Sequence, residues 1–278
     1  IDGSDNGPTI KISGENTRSL LTGLKITGGV PASEERGGGI SISSADSIII
    51  DRMEITENAA EVGGGVNAEN IDHLEIKNSK VYLNSAEFGG GLLLTGGEFA
   101  EIDNSLIYSN QAGTDGGGIS VNSDRTILKN SVIAKNRSGD GRYGPGILIE
   151  NSFADTLLIM NSFITDNLRG NVDQHQIFRN GGQYKVYNSI IDWGWDTQPH
   201  TDQDNFIFPN GSEHFKDITN NDFSIEDLSP AIGAGLYSVP FAGKSVIVSP
   251  KDLYNNDRPS PQGSNPDIGA IENERSDN

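Results

Sequence analysis

Short runs of alternating apolar and polar residues recur along most of this chain. Leu74–Lys77 (Leu-Glu-Ile-Lys) and Ile119–Asn122 (Ile-Ser-Val-Asn) are two examples. A period of two places successive side chains on opposite faces of a β-strand. The runs are short and are separated by Gly or Asn. The pattern therefore predicts many short strands joined by tight turns.

The runs belong to a repeat of about 26 residues, which three markers share. A triple-glycine block followed by an aliphatic residue recurs once in each repeat, and its copies begin at Gly37, Gly63, Gly89, Gly116 and, in degenerate form, Gly144. Single asparagines recur in phase with it at Asn58, Asn84, Asn110, Asn136 and Asn167. Asn-Ser pairs begin at Asn78, Asn104, Asn130, Asn161 and Asn188.

A repeat of this size cannot bury its own apolar face, so neighbouring repeats must stack. Short strands with one coil per repeat predict an all-β fold, a parallel β-helix with about 26 residues per coil. Two inward registers follow, Ile50, Ile76, Ile102 and Leu128 in one and Ile55, Val81, Ile107 and Ile133 in the other. The single asparagines are expected in turns, with their amides bonded to the coils on either side.

Two sequence regions follow from the repeat. Residues 1–192 are expected to form the coils, and residues 193–278 an irregular C-terminal capping segment packed on the same solenoid. The chain begins at Ile1 within a repeat and without a start Met. We expect it to be a mature or excised piece of a longer protein.

The triple-glycine blocks and the Ile-x-x-Asn runs carry a first resemblance. They are similar to the repeats of chlamydial polymorphic outer-membrane proteins, whose motifs are Gly-Gly-aliphatic and Phe-x-x-Asn. Ile or Val stands at the Phe position in this chain, at Ile55, Val81, Ile107, Ile133 and Ile164.

Three motifs near the C-terminus carry a second resemblance. They are Ser229–Gly235 (Ser-Pro-Ala-Ile-Gly-Ala-Gly), Arg258–Pro259 and Pro266–Glu272 (Pro-Asp-Ile-Gly-Ala-Ile-Glu). This segment resembles the choice-of-anchor Q domain of bacterial surface β-helix proteins. Together the two resemblances imply a single-stranded, right-handed, pectate-lyase-like β-helix that is secreted or displayed on a bacterial cell surface. They imply no shared enzyme activity.

The composition limits the classes of partner and cofactor that we expect for this protein. The formal net charge is −19 and the pI is near 4.4, so the surface repels phosphate backbones and no nucleic-acid partner is expected. An acidic surface also repels anionic polysaccharide unless cations bridge the two, which makes Ca²⁺ the candidate cofactor. The absence of cysteine excludes disulfides, thiol catalysis and Cys-based zinc sites. No apolar run is long enough to predict a transmembrane segment.

Two outward ladders could carry chemistry. Asp51, Lys77, Asp103 and Lys129 each lie one repeat apart and should stack with alternating charge. Such a ladder stabilises coil stacking, and it also holds the residue types of a uronate-cleaving lyase, a basic residue beside acidic calcium ligands. Tyr82 and Tyr108 share the same spacing and predict either a plain aromatic ladder or a platform for sugar rings.

The repeat breaks at Arg137–Tyr143 and at Asn171–Gln183. Broken repeats often carry function because loops vary without disturbing the core. If the protein is an enzyme, these loops supply the catalytic candidates, which are Arg142, Tyr143, His175 and Arg179. The alternative is a pair of solvated insertions.

Acidic and aromatic residues mark the segment that follows the repeats. Asp196, Asp202 and Asp204 are candidate calcium ligands, although their spacing does not follow an EF-hand loop. Aromatic residues in this segment are expected to cover the open end of the solenoid. Earlier in the chain, Asn70–His73 (Asn-Ile-Asp-His) resembles a Trp-Ile-Asp-His motif of pectate lyases, but it lacks the Trp and we attribute it to chance.

Two hypotheses of function remain. The first is a non-catalytic extracellular or cell-surface protein with a structural, adhesive or polysaccharide-binding role, which could assemble end to end through the ends of the solenoid. The regular repeat and the missing lyase and pectin-hydrolase motifs favour it. The second is a polysaccharide lyase, epimerase or glycoside hydrolase acting on an acidic polysaccharide, which rests on fold analogy alone. A cleft with Lys or Arg beside clustered carboxylates would favour the second hypothesis.

Overall fold

The structure is a computed structural model. It describes residues 1–32, 35–139, 143–150, 157–170, 172–173, 176–195, 201–203, 206–208 and 211–273, with only the backbone at 172–173, 201–203 and 206–208. The described residues form a parallel β-helix with three sheets along its length, and their only helices are two short 3₁₀ turns, Gly211–His214 and Ile218–Asn220.

The large sheet contains 13 strands in the described part of the chain. They are Ile10–Ser13, Arg18–Thr22, Ile40–Asp51, Val66–Lys77, Leu92–Thr95, Phe99–Asp103, Ile119–Asn122, Thr126–Lys129, Ile147–Ile149, Leu157–Met160, Ile177–Arg179, Tyr184–Tyr187 and Thr201–Gln203. The long strand Val66–Lys77 pairs with two short strands of the next coil because Gly96 and Gly97, both at positive φ, interrupt that coil.

The second sheet has eight described strands, which are Lys25–Ile26, Glu54–Thr56, Lys80–Tyr82, Leu106–Tyr108, Val132–Ala134, Phe163–Thr165, Ile190–Asp192 and Phe206–Phe208. The third has six, which are Ala59–Val62, Ser85–Phe88, Gln111–Ala112, Arg137–Ser138, Leu168–Arg169 and Val172–Asp173. The strands pair in parallel except for the last two of the third sheet. The strands at 201–203 and 206–208 show that the coil pattern continues beyond residue 192.

The registers confirm the predicted fold class. Ile50 pairs with Ile76, Ile76 with Ile102, and Ile102 with Leu128, so each partner lies one repeat further along the chain. The second predicted register, from Ile55 to Ile133, pairs in the same way. All of these side chains are buried in one core that runs along the solenoid.

The C-terminal segment packs along the side of the solenoid. Its antiparallel strands are Phe215–Asp217 with Asp222–Ile225 and Ser238–Phe241 with Lys244–Ile247. The first part packs its apolar residues on the second sheet, whose outer face is apolar in the later coils at Leu106, Tyr108, Val132, Phe163 and Ile190. Of the aromatic residues expected over the end of the rod, Trp195 is buried against Tyr184 and Trp193 is half exposed.

Candidate functional site

A groove lies between the outer face of the large sheet and the hairpin formed by residues 238–247. We call it the hairpin groove. It has a volume of about 620 Å³, which is within the size range of small-ligand sites. The sheet contributes His73, Phe99, Glu101, Arg125, Ile127 and Lys129, and the hairpin contributes Phe241, Ala242 and Lys244–Ile247. Asp72 and Glu98 lie at its edge, one residue before His73 and Phe99.

Apolar residues on the outer face of the sheet place the hairpin. Outward positions of a solenoid are usually polar, but this face carries Ile127, Leu158, Met160 and Tyr187. Val239, Phe241, Val246 and Val248 cover them and remove their surface from water. The hairpin therefore packs on the later coils and leaves the groove beside it.

Hydrogen bonds hold both ends of the hairpin to the solenoid. Asn161 accepts from the backbone N–H of Leu236 and donates to its carbonyl, both at 2.8 Å. At the other end Lys129 Nζ donates to the carbonyl of Ile247 at 2.9 Å. Ser249 donates to Asp103, the next rung of the predicted charge ladder. The walls of the groove are therefore fixed to each other.

The sheet side of the groove carries a column of three different side chains. His73 and Phe99 are paired in register, and their rings stack with centroids 5.1 Å apart and an interplanar angle of 11°. Arg125 occupies the same position in the next coil, since its carbonyl accepts from the N–H of Ala100 at 2.9 Å. The column presents an aromatic surface followed by a cation.

The groove contains equal numbers of acidic and basic side chains, but the basic side chains differ in whether they form ion pairs. Lys129 lies 3.0 Å from Glu101 and 3.7 Å from Asp103, and its side chain is only 9% exposed. Arg125 and Lys244 make no ion pair or side-chain hydrogen bond with any residue that the structure describes. Among the described residues their charges are uncompensated, whereas that of Lys129 is compensated.

The family comparison identifies the fold. A family model described as a right-handed β-helix region matches residues 4–206, nearly three quarters of the chain. The chain belongs to the right-handed β-helix family. Comparison with curated proteins and with solved structures gave no match. The family establishes the fold and its handedness, and any chemistry depends on the residues of this β-helix itself.

The charge ladder of the β-helix is in register as predicted. Asp51 pairs with Lys77 and Asp103 with Lys129. Lys77 also lies 2.6 Å from Glu75 on its own strand, and this hydrogen bond is the main reason that the pKa of Lys77 is raised. Only the Lys129 end of the ladder reaches the hairpin groove.

Tyr82 and Tyr108 stack on each other with ring centroids 4.9 Å apart. The C-terminal segment covers this stack, since Phe223 lies 5.1 Å from the ring of Tyr108 and leaves that residue 8% exposed. Burial raises the pKa of the Tyr108 hydroxyl. Tyr82 is half-buried at the edge of the cover, so of the two predicted binding residues it retains more surface for a sugar.

The catalytic candidates from the broken repeats are partly described. Tyr143 stacks on Phe178 with centroids 3.9 Å apart and is 44% exposed. Arg179 donates to the carbonyl of Gly182 at 2.9 Å. Arg142 and His175 lie outside the described residues. Neither described candidate lines the hairpin groove.

Most of the candidate calcium ligands lie outside the described residues. Asp196 and Asp204 are not among the described residues, and Asp202 is described only by its backbone, in the strand Thr201–Gln203. Within the described ranges, no three His, Asp or Glu side chains form a metal-binding group. In the same ranges, no helix has the length and apolarity needed to cross a bilayer.

Sequence reasoning missed the main residues of the groove. His73, Phe99 and Arg125 follow one another at the spacing of the repeat, which places them in one column, but three different residue types give no recognisable motif. Asp72 and His73 belong to the motif attributed above to chance, and the structure places both at the groove. Lys244 lies far away in sequence, so nothing in the repeat could have joined it to them.

Proposed function

We propose that this protein is a secreted or cell-surface β-helix protein that binds polysaccharide in the hairpin groove without cleaving it. The observation that carries the proposal is the groove, a fixed cleft with an aromatic surface, apolar residues and unpaired charges of both signs.

The chemistry of the groove suits a sugar chain. Sugar rings have apolar C–H faces and a rim of hydroxyls, so binding sites combine apolar contact with a few polar groups. Phe99 and Ile247 supply apolar contact, while Asp72 and Glu98 accept hydrogen bonds from hydroxyls. The columns of the sheet repeat every coil, at the ~4.8 Å spacing of neighbouring strands. This spacing is close to the length of one sugar unit, so a linear chain can follow the solenoid axis.

Substitution of Phe99 tests this proposal. Phe99→Ala removes the aromatic surface and should weaken binding to a retained polysaccharide by roughly tenfold, which corresponds to about 1.4 kcal/mol. Phe88→Ala is the matched control, because Phe88 is exposed on the third sheet, away from the groove. Affinity electrophoresis against a panel of neutral and acidic polysaccharides measures both variants. Equal retardation of the two variants, or no retardation of the native protein by any polymer, would contradict the proposal.

The second candidate is a polysaccharide lyase, and one observation favours it. The groove brings Arg125, Lys129 and Lys244 beside Asp72, Glu98 and Glu101, which is the combination of bases and carboxylates that such chemistry uses. Lys129, however, is already engaged by Glu101, Asp103 and the Ile247 carbonyl. Ultraviolet absorbance of unsaturated products from uronate polymers, with and without Ca²⁺, decides between the two candidates. If the native protein forms product steadily and Arg125→Gln abolishes this activity, the protein is a lyase and not a non-catalytic binding protein.

Surface display and end-to-end assembly are part of the same proposal. The three motifs that resemble the choice-of-anchor Q domain meet in the structure, where Asp267 accepts from the N–H of Gly233 and Arg258 pairs with Glu272. The outermost coil of a solenoid of parallel strands leaves one row of backbone N–H and C=O groups open. Such an open edge can pair with another strand. Sedimentation velocity at rising protein concentration, with and without Ca²⁺, would exclude assembly if only monomers were found.

A further inference from the structure

We propose that the polysaccharide held in the hairpin groove is acidic, with its carboxylates separated by neutral sugars, and that Arg125 and Lys244 select it. This inference rests on the proposed function and adds the chemical class of the ligand.

The local charge of the groove differs from that of the whole chain. The whole chain has 39 acidic and 20 basic residues, so most of its surface repels anions. The hairpin groove instead has three side chains of each sign, Asp72, Glu98 and Glu101 against Arg125, Lys129 and Lys244. The groove is therefore a place where an anion escapes the general repulsion.

The three cations of the groove differ in their partners among the described residues. Lys129 is neutralised by Glu101 and Asp103 and is buried. Arg125 on the sheet wall and Lys244 on the hairpin wall make no ion pair with any described residue. A planar guanidinium with an ammonium nearby is the combination that holds a carboxylate, since arginine binds it by two parallel hydrogen bonds. These two residues are the selectivity determinants of the site.

Acidic residues at the groove limit how closely the carboxylates of the ligand can follow one another. Asp72 and Glu98 precede His73 and Phe99 in the column that contains Arg125. A carboxylate placed beside these two acids is repelled, whereas a hydroxyl there donates to them. Asp124, which precedes Arg125 in the same way, does not line the groove. With one carboxylate at Arg125, a chain with an acid on every sugar that follows the column brings a second carboxylate towards Asp72 or Glu98. A chain with alternating acidic and neutral sugars avoids this repulsion.

The test compares three polymers by isothermal titration. They are hyaluronan, which alternates a uronate with a neutral amino sugar, polygalacturonate, in which every sugar is acidic, and hyaluronan whose carboxylates have been chemically reduced. The native protein should bind hyaluronan at least tenfold more tightly than either of the others. The double variant Arg125→Gln/Lys244→Gln should lose that preference, while Arg137→Gln, at an exposed arginine on the third sheet, should keep it.

A reciprocal variant tests the repulsion. Asp72→Asn/Glu98→Gln removes the acids at the groove edge and should raise the affinity for polygalacturonate about tenfold, with little change for hyaluronan. If the native protein bound hyaluronan and its reduced form equally, the claim that the ligand is acidic would be wrong, while the proposal of polysaccharide binding would stand. If the reciprocal variant bound polygalacturonate no more tightly than the native protein, the claim that neutral sugars must separate the carboxylates would be wrong. If the native protein bound no polymer of the wider panel, the proposed function itself would fail.

Discussion

At the scale of single residues, the coil stack depends on side-chain amides that lie inside the protein. Asn110 is representative. Its Oδ1 accepts from the backbone N–H of Asn84 at 3.1 Å and from the Asn84 amide at 3.0 Å. Its own amide donates to the carbonyl of Val81 at 2.9 Å and to Asn136 at 3.0 Å. At the far end of the ladder, Gln176 replaces asparagine and accepts from Asn167. The ladder therefore ends with its last donors paired.

Asn110→Ala tests how much this ladder contributes. The substitution leaves the Asn84 N–H without its acceptor and the Val81 carbonyl without the Asn110 amide, whereas Asn136 Oδ1 keeps the backbone N–H of residue 110. Each unsatisfied buried group costs about 1–3 kcal/mol, so the free energy of unfolding should fall by about 2 kcal/mol or more. Urea denaturation measures it, with the exposed neighbour Gln111→Ala as control. A loss below about 1 kcal/mol would mean that water replaces the amide and that the ladder is not structurally important.

At the scale of elements, the C-terminal segment is held together by buried charge. Arg258 and Glu272 lie 3.3 Å apart with no exposed side-chain surface. Glu272 accepts from the backbone N–H groups of Ser260 and Asp267, and Asp252 accepts from the N–H of Glu272. The Arg258 guanidinium also donates to the backbone carbonyls of Asp267 and Gly269. The hairpin that forms the groove belongs to the same segment.

This arrangement makes the segment sensitive to pH. Burial raises the pKa of Glu272 to about 7 from its ordinary 4.5, and Arg258 only partly opposes the shift. The folded state binds the proton of the Glu272 carboxyl more tightly than the unfolded state does. This proton therefore stabilises the folded state fully below pH 4.5, and the stabilisation is lost as pH rises through about 7. Its size is on the order of 3 kcal/mol. Limited proteolysis should therefore cut the segment faster at pH 8 than at pH 5.5.

Glu272→Gln is the matched control for the pH effect. The amide cannot ionise but keeps an oxygen that accepts a hydrogen bond, so this variant should show a flatter pH dependence of cleavage, after correction for the protease's own pH profile. A native segment that becomes more resistant at pH 8, or an unchanged slope in the variant, would show that another group controls it.

Elements differ in how far the sequence predicts them. The coils, their register and the core residues from Ile50 to Leu128 were predictable because equivalent positions recur in every repeat. The hairpin was not predicted, because its place is set by Ile127, Leu158, Met160 and Tyr187, outward positions where an apolar residue looks like an irregularity of the repeat. The groove exists only because of that packing, so its residues could not be joined from sequence alone.

At the scale of the whole molecule, the solenoid is unevenly covered. The C-terminal segment covers the second sheet and part of the large sheet in the later coils, whereas the early coils keep ladders of charge on their surface. The hairpin groove lies where the covered and uncovered parts of the large sheet meet. A polymer that runs along the early coils would therefore reach the groove before it meets the hairpin.

Hydrogen exchange with bound polysaccharide tests the central claim most directly. The predicted result is slower exchange in Phe99–Asp103, Thr126–Lys129 and the hairpin strand Lys244–Ile247, with no change around Tyr143 or Tyr82. Protection centred on Tyr143 or Tyr82, with the hairpin unaffected, would contradict the account and move the binding site to another face of the β-helix.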